Sequence, residues 1–92
     1  MPKFLIERLI PGIEKWDSDQ MKAIARKSNN VLTGLGTTIQ WIQSYVMPDK
    51  LYCVYIAPDE KLIREHAKLG GFPCNNVTLI REVIDPTTAE RA

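Results

Sequence analysis

The chain has 92 residues, enough for one domain with a small core, so a homodimer that covers additional apolar surface is expected. Its 12 Lys and Arg residues against 11 Asp and Glu give a formal net charge of +1. The basic residues are dispersed along the chain, whereas nucleic-acid binding requires a concentrated basic surface. The sequence also lacks the apolar run of about 20 residues that a membrane span requires, the apolar region of a signal peptide, and a Cys-x-x-Cys pair. These features predict a soluble, cytoplasmic protein with reduced thiols and no nucleic-acid or membrane partner. They indicate neither a zinc finger nor a thioredoxin-like redox site.

The amino-terminal part of the chain predicts a strand followed by a helix. Residues 4–10 form an apolar run bounded by prolines, and its alternation places Glu7 on the same face as two leucines. A carboxylate among apolar neighbours is either a paired structural group or a site residue. Asp17 is the predicted N-cap of the helix, which carries an apolar stripe and ends at residues 34–36.

Residues 38–46 and 51–57 predict two strands of a hairpin, because both runs are rich in β-branched and aromatic side chains. If Val46 pairs with Leu51, one face carries Ile42 opposite Tyr55, Ser44 opposite Cys53, and Val46 opposite Leu51. The other face carries Trp41, Gln43, Tyr45, Tyr52, Val54 and Ile56. Large apolar side chains therefore lie on both faces of the hairpin.

A second helix and a final strand follow the hairpin. Asp59 is the predicted N-cap of the helix, Gly70 and Gly71 end it, and His66 lies on its apolar stripe. Residues 76–84 predict the last strand.

The element order is strand, helix, strand, strand, helix, strand, which predicts a ferredoxin-like βαββαβ sandwich of the α+β class. One four-stranded antiparallel sheet would carry two helices on one face. Its open face would be too apolar for an isolated monomer, so we expect a second copy to cover it, as in a dimeric α+β barrel. The single domain spans residues 1–86, and residues 87–92 predict a flexible tail.

Several side chains have two interpretations. His66 is a candidate for metal binding or proton transfer, or a structural histidine. Cys53 is a metal ligand or a small buried apolar residue, and a Cys53–His66 pair has no third orienting residue, so no catalytic residue is assigned. A further set would line either a ligand pocket or a dimer interface. This set consists of Trp41, Ser44, Tyr45, Tyr52 and Tyr55.

Six segments together resemble a known family in their order and spacing. They are Phe4-Leu5-Ile6-Glu7-Arg8, Trp41-x-x-Ser44-Tyr45-Val46, Asp49-Lys50-x-Tyr52-Cys53-x-Tyr55-x-Ala57-Pro58-Asp59, Ile63-Arg64-Glu65-His66-Ala67, Gly71-Phe72-Pro73 and Val83-Ile84-Asp85-Pro86. The family is a small bacterial one of domains of unknown function, whose best-known member is a nickel-responsive, nickel-binding protein. The resemblance implies a ferredoxin-like homodimer that binds nickel or another divalent transition metal, with no organic cofactor indicated. Candidate metal ligands at family-matching positions, selected by side-chain chemistry, are Glu7, Cys53, Glu65 and His66.

Three functional hypotheses follow. The first is a small homodimeric binding protein for a transition metal or small ligand. The second is a cofactor-free enzyme (isomerase, cyclase or monooxygenase) in which His66 or Glu7 is the general base and a tyrosine donates a hydrogen bond to a developing oxyanion. The third is a structural interaction domain.

Overall fold

The computed structural model describes residues 1–91 and has the predicted element order. The elements are β1 (Lys3–Leu9), α1 (Ser18–Leu35), β2 (Gln40–Met47), β3 (Lys50–Ile56), α2 (Glu60–Gly70) and β4 (Asn76–Ile80), with short 3-10 helices at Ile13–Lys15 and Pro86–Glu90. The strands form one antiparallel sheet in the order β2-β3-β1-β4, so β1 and β3 are central. The ferredoxin-like βαββαβ prediction is confirmed.

Both predicted N-caps are confirmed. The Asp17 carboxylate accepts a hydrogen bond from the Gln20 amide at 2.8 Å, and the Gln20 side chain accepts one from the Asp17 amide at 2.9 Å, which closes a capping box at the start of α1. The Asp59 carboxylate accepts from the Leu62 amide at 2.9 Å at the start of α2. Gly71 ends α2 with a φ of 69°, in the left-handed region that favours glycine.

The alternation of side chains along the central strands defines a helix face and an open face of the sheet. In β1, Phe4, Ile6 and Arg8 are buried on the helix face, whereas Leu5 and Glu7 are half-buried on the open face. In β3, the buried residues are Leu51, Cys53 and Tyr55. The core therefore lies between the helix face and the two helices.

The β2–β3 register is confirmed from Val46 to Gln43, but a β-bulge follows. Trp41, rather than Ile42, pairs with Tyr55, and Ile42 is 48% exposed. The predicted pairing of Ile42 with Tyr55 was therefore wrong, as was the assignment of Trp41 to the other face. The extra residue turns the large indole toward the helix face, where its N–H donates to the Ser44 hydroxyl at 2.9 Å.

The last strand is shorter than predicted because its partner ends. Ile80 pairs with Lys3, the first residue of β1, so residues beyond 80 have no opposing β1 residue. Beyond the strand, Asp85 caps the 3-10 helix that begins the predicted tail. The flexibility of this tail stays a prediction, and residue 92, at its end, lies outside the described residues. Within residues 1–91, no helix combines the length and apolarity required to cross a membrane.

Two glycine substitutions test the packing at the end of α2. A Cβ on Gly70 would overlap the Phe72 ring, whereas a Cβ on Gly34 meets no atom within 4 Å. We expect Gly70→Ala to lower the free energy of unfolding by about 1–3 kcal/mol through overpacking. Gly34→Ala should raise it by roughly 0.5–1 kcal/mol through helix propensity. Urea denaturation of both variants measures the difference, and equal effects would contradict this packing.

Candidate functional site

A cavity of about 120 Å³ lies between α1 and the helix face of the sheet. Its polar lining comes from Arg8, Ser28, Ser44 and Tyr55, and its walls are otherwise mostly apolar, with Trp41 and Phe72 among them. The central strands contribute Arg8 and Tyr55, β2 contributes Ser44, and α1 contributes Ser28. Polar groups from four elements thus converge on one mainly apolar cavity, the usual composition of a small-molecule site.

Arg8 is the most unusual residue of the cavity, because its side chain is charged and only 2% exposed. Its Nη1 donates to the Pro73 carbonyl at 2.6 Å, but among the described residues Nη2 has no hydrogen-bond partner. Within residues 1–91, no carboxylate forms an ion pair with it. The rings of Tyr55 and Phe72, at 5.9 and 5.5 Å from its Cζ, give cation–π contacts of about 0.5–2 kcal/mol each. Burying an unpaired ion costs several kcal/mol, so this compensation is partial.

His66 is fully buried and joined to the cavity by two hydroxyls. Its Nε2 lies 3.2 Å from the Ser28 hydroxyl oxygen, which lies 3.3 Å from the Tyr55 hydroxyl oxygen. Its Nδ1 has no partner among the described residues. Since Ser28 and Tyr55 line the cavity, these bonds form a route for a proton between cavity and imidazole. The cofactor-free enzyme hypothesis requires such a route for His66.

The electrostatics of this cluster favour its neutral forms. Burial, reinforced by the positive charge of Arg8, lowers the pKa of His66 to about 4. Burial also raises the pKa of Tyr55, although its hydrogen bond with Ser28 and the nearby positive charge of Arg8 oppose this. At neutral pH, Arg8 is therefore the charged member of a network that otherwise holds a neutral imidazole and neutral hydroxyls.

The four predicted metal ligands lie in different parts of the structure. Cys53 lines the cavity and His66 adjoins it, but Glu65 is exposed on α2. Glu7 lies on the open face, where its carboxylate accepts hydrogen bonds from Asn76 and Tyr52 at 2.9 Å each; these bonds lower the pKa of Glu7. In the described part of the chain, no group of three or more His, Cys, Asp or Glu residues could hold a metal ion.

The five residues predicted for a pocket or interface also separate into two sets. Trp41, Ser44 and Tyr55 line the cavity. Tyr45 and Tyr52 lie on the open face, where Tyr45 is 44% exposed. The first set is therefore placed to line a pocket. Only the second set is placed to lie in a dimer interface.

Three important residues were not among the predicted site residues: Arg8, Ser28 and Phe72. For Arg8 a signal existed, because it alternates with Phe4 and Ile6 on the buried face of β1. Ser28 likewise falls on the apolar stripe of α1. Phe72 follows a glycine pair in a loop, and nothing in its local pattern indicates that its ring contacts Arg8.

The comparisons with known proteins identify the family. The family described as "Nickel responsive protein SCO4226-like" matches residues 4–80. The chain belongs to this family. The crystal structure of SCO4226 from Streptomyces coelicolor A3(2) is similar, with a TM-score of 0.74 and 14% sequence identity over 89% of this chain and 99% of that one. At this identity the likeness shows the fold alone. No curated protein sequence is significantly similar to the chain.

Membership in the SCO4226-like family confirms the resemblance, and the matched range contains every segment that carries it except Val83-Ile84-Asp85-Pro86. The matched range includes all the residues of the cavity and all four predicted metal ligands. The loop and 3-10 helix beyond residue 80 lie outside the matched range.

The buried imidazole predicts a specific pH dependence of stability. An unfolded histidine with a pKa near 6.5 binds a proton as the pH falls, but folded His66 resists protonation until about pH 4. The unfolded state therefore binds more protons between these values, and stability falls with decreasing pH by about 3 kcal/mol in total. Urea denaturation between pH 7 and 4.5 measures this loss. His66→Gln should remove most of it, and an unchanged pH dependence in that variant would contradict the assignment.

Proposed function

We propose that this protein binds a small molecule in the cavity between α1 and the sheet. The single observation that carries the proposal is a cavity of about 120 Å³ with polar groups from several elements at its wall. An engineered apolar cavity of about 150 Å³ is large enough to bind benzene. The cavity is somewhat smaller than that, so a ligand with one six-membered ring is at the upper limit of what it holds, and a nucleotide is far too large.

Phenol is a suitable neutral probe for the cavity. We expect titration with millimolar phenol to shift the amide NMR signals of residues that line the cavity, because the ring replaces empty or weakly hydrated volume. Ala25→Leu should weaken binding at least tenfold, because Ala25 lines the cavity and the larger side chain fills it.

The matched control is Ala89→Leu, the same change at an exposed position of the last 3-10 helix. It should leave phenol binding unchanged. Shifts confined to other surfaces, or equal affinity in Ala25→Leu and wild type, would show that the cavity is not a binding site.

We also propose a second function, the binding of nickel or another divalent transition metal by a homodimer. Its support is the description of the family as nickel responsive. Within one chain the sheet separates Glu7 from Cys53 and His66, so a site at Glu7 would take its further ligands from the open face of a second copy.

The dimer would form through the open face of the sheet. Leu5, Tyr52, Val54 and Ile56 are half-buried there, and Tyr45 extends the apolar surface along β2. In the single described chain both helices pack on the opposite face. A second copy would cover this surface and bring the Glu7 carboxylates of two chains to one interface.

Val54→Asp tests the dimer and the metal site together. A carboxylate at the centre of the open face should make the protein monomeric in light scattering, because its charge would be buried without a partner. Calorimetric nickel titration of tag-free protein should then show binding to wild type and at least tenfold weaker binding to the variant. Asn30→Asp, which adds the same charge at an exposed position of α1, should change neither result. A monomeric wild type, or full nickel affinity in monomeric Val54→Asp, would refute the two-copy site.

A further inference from the structure

We propose that the ligand of the cavity is a small single-ring monoanion, such as an aromatic carboxylate, and that Arg8 binds its anionic group. The inference rests on the proposed small-molecule site and specifies its ligand. It depends on the geometry of the buried guanidinium, on the charges at the cavity wall and on the volume of the cavity.

The guanidinium requires a negative partner. Guanidinium groups are charged in proteins, so Arg8 places a cation in the interior. Nη1 is engaged by the Pro73 carbonyl, while Nη2 is buried without a hydrogen-bond partner among residues 1–91. Arg8 lines the cavity, so an anion bound there would lie beside the guanidinium and neutralise its charge.

The charge at the wall favours a monoanion. Among the described lining residues Arg8 is the one cationic side chain, and no Asp or Glu lines the cavity. His66 is neutral at pH 7 and reaches the cavity through Ser28. A carboxylate matches one guanidinium and three neutral hydroxyls, whereas a phosphate dianion would leave a negative charge uncompensated in a buried site.

The remainder of the wall favours a ring. The aromatic side chains of Trp41 and Phe72 border the cavity, with Met21, Ile24 and Val46 supplying further apolar surface. An aromatic carboxylate would place its ring against this apolar wall and its charged group beside Arg8.

The surroundings also provide a route of entry for an anion. Phe72 and Ile24 line both the cavity and a wider, open groove of about 530 Å³. Lys27 lines this groove, with its Nζ 5.7 Å from the centre of the Phe72 ring. The positive charge of Lys27 would attract an anion to the groove beside Phe72, whose ring borders both the groove and the cavity.

Benzoate and benzamide form a matched pair of probes, because they have nearly the same shape but only benzoate is charged. In carboxylate-free buffer at pH 7, we expect benzoate to bind wild-type protein at least tenfold more tightly than benzamide, with NMR shifts at the cavity. In Arg8→Met this preference should disappear. The same variant should unfold at a higher urea concentration than wild type, because it removes an unpaired buried charge.

Each outcome has a distinct meaning. Equal affinity for benzoate and benzamide in wild type, which needs no variant, would overturn the anion assignment but retain the neutral-ligand site. A preference that persists in Arg8→Met, or lower stability of that variant with an unchanged preference, would show that Arg8 is structural. If neither probe nor phenol shifts the cavity signals, the proposed site itself is refuted.

Discussion

The interior of this small domain contains a positive charge without a negative partner in the described chain, and much of the local structure depends on accommodating it. Arg8 belongs to a central strand and points to the helix face, so its side chain extends into the interior. Its hydrogen bond to the Pro73 carbonyl links β1 to the loop after α2. Within that loop Phe72 places its ring against the guanidinium and directly over Gly70, where a side chain has no room. The glycine pair that ends α2 therefore serves the packing around Arg8 as well as the helix terminus.

The same charge determines the chemistry of its neighbours. Together with burial it depresses the pKa of His66, so the imidazole forms hydrogen bonds as a neutral group. An isolated buried cation is costly for stability, and natural proteins retain such costs mainly at functional sites. An anion bound in the cavity beside Arg8 would neutralise the guanidinium. This would give the loss of stability a functional explanation.

The sequence predicted the fold well because its main signals are local. Asp17 and Asp59 cap their helices through hydrogen bonds to amides three residues later, and alternation in β1 correctly separated buried from half-buried side chains. The β2–β3 register held up to Gln43 because it depends on the hairpin turn. The bulge that follows depends on tertiary packing, and the early end of β4 depends on the length of its partner β1. Local sequence patterns indicate neither.

The site was less predictable because its members meet through tertiary contacts. Residue chemistry selected His66, Cys53 and Tyr55, which are all buried between the sheet and the helices. It grouped them with Glu7, which the pleat of β1 places on the opposite face. Arg8 was visible on the buried face of β1, but a local pattern does not show that no carboxylate within residues 1–91 forms an ion pair with it.

The bulge at Ile42 also affects how the protein meets other sheets. β2 is an edge strand, and a regular edge presents unpaired amides and carbonyls that can template further strands. The extra residue interrupts that row near its amino-terminal end and increases the local twist, so another strand cannot continue the ladder without distortion. The irregularity that places Trp41 in the cavity wall thereby also protects this edge against open-ended association.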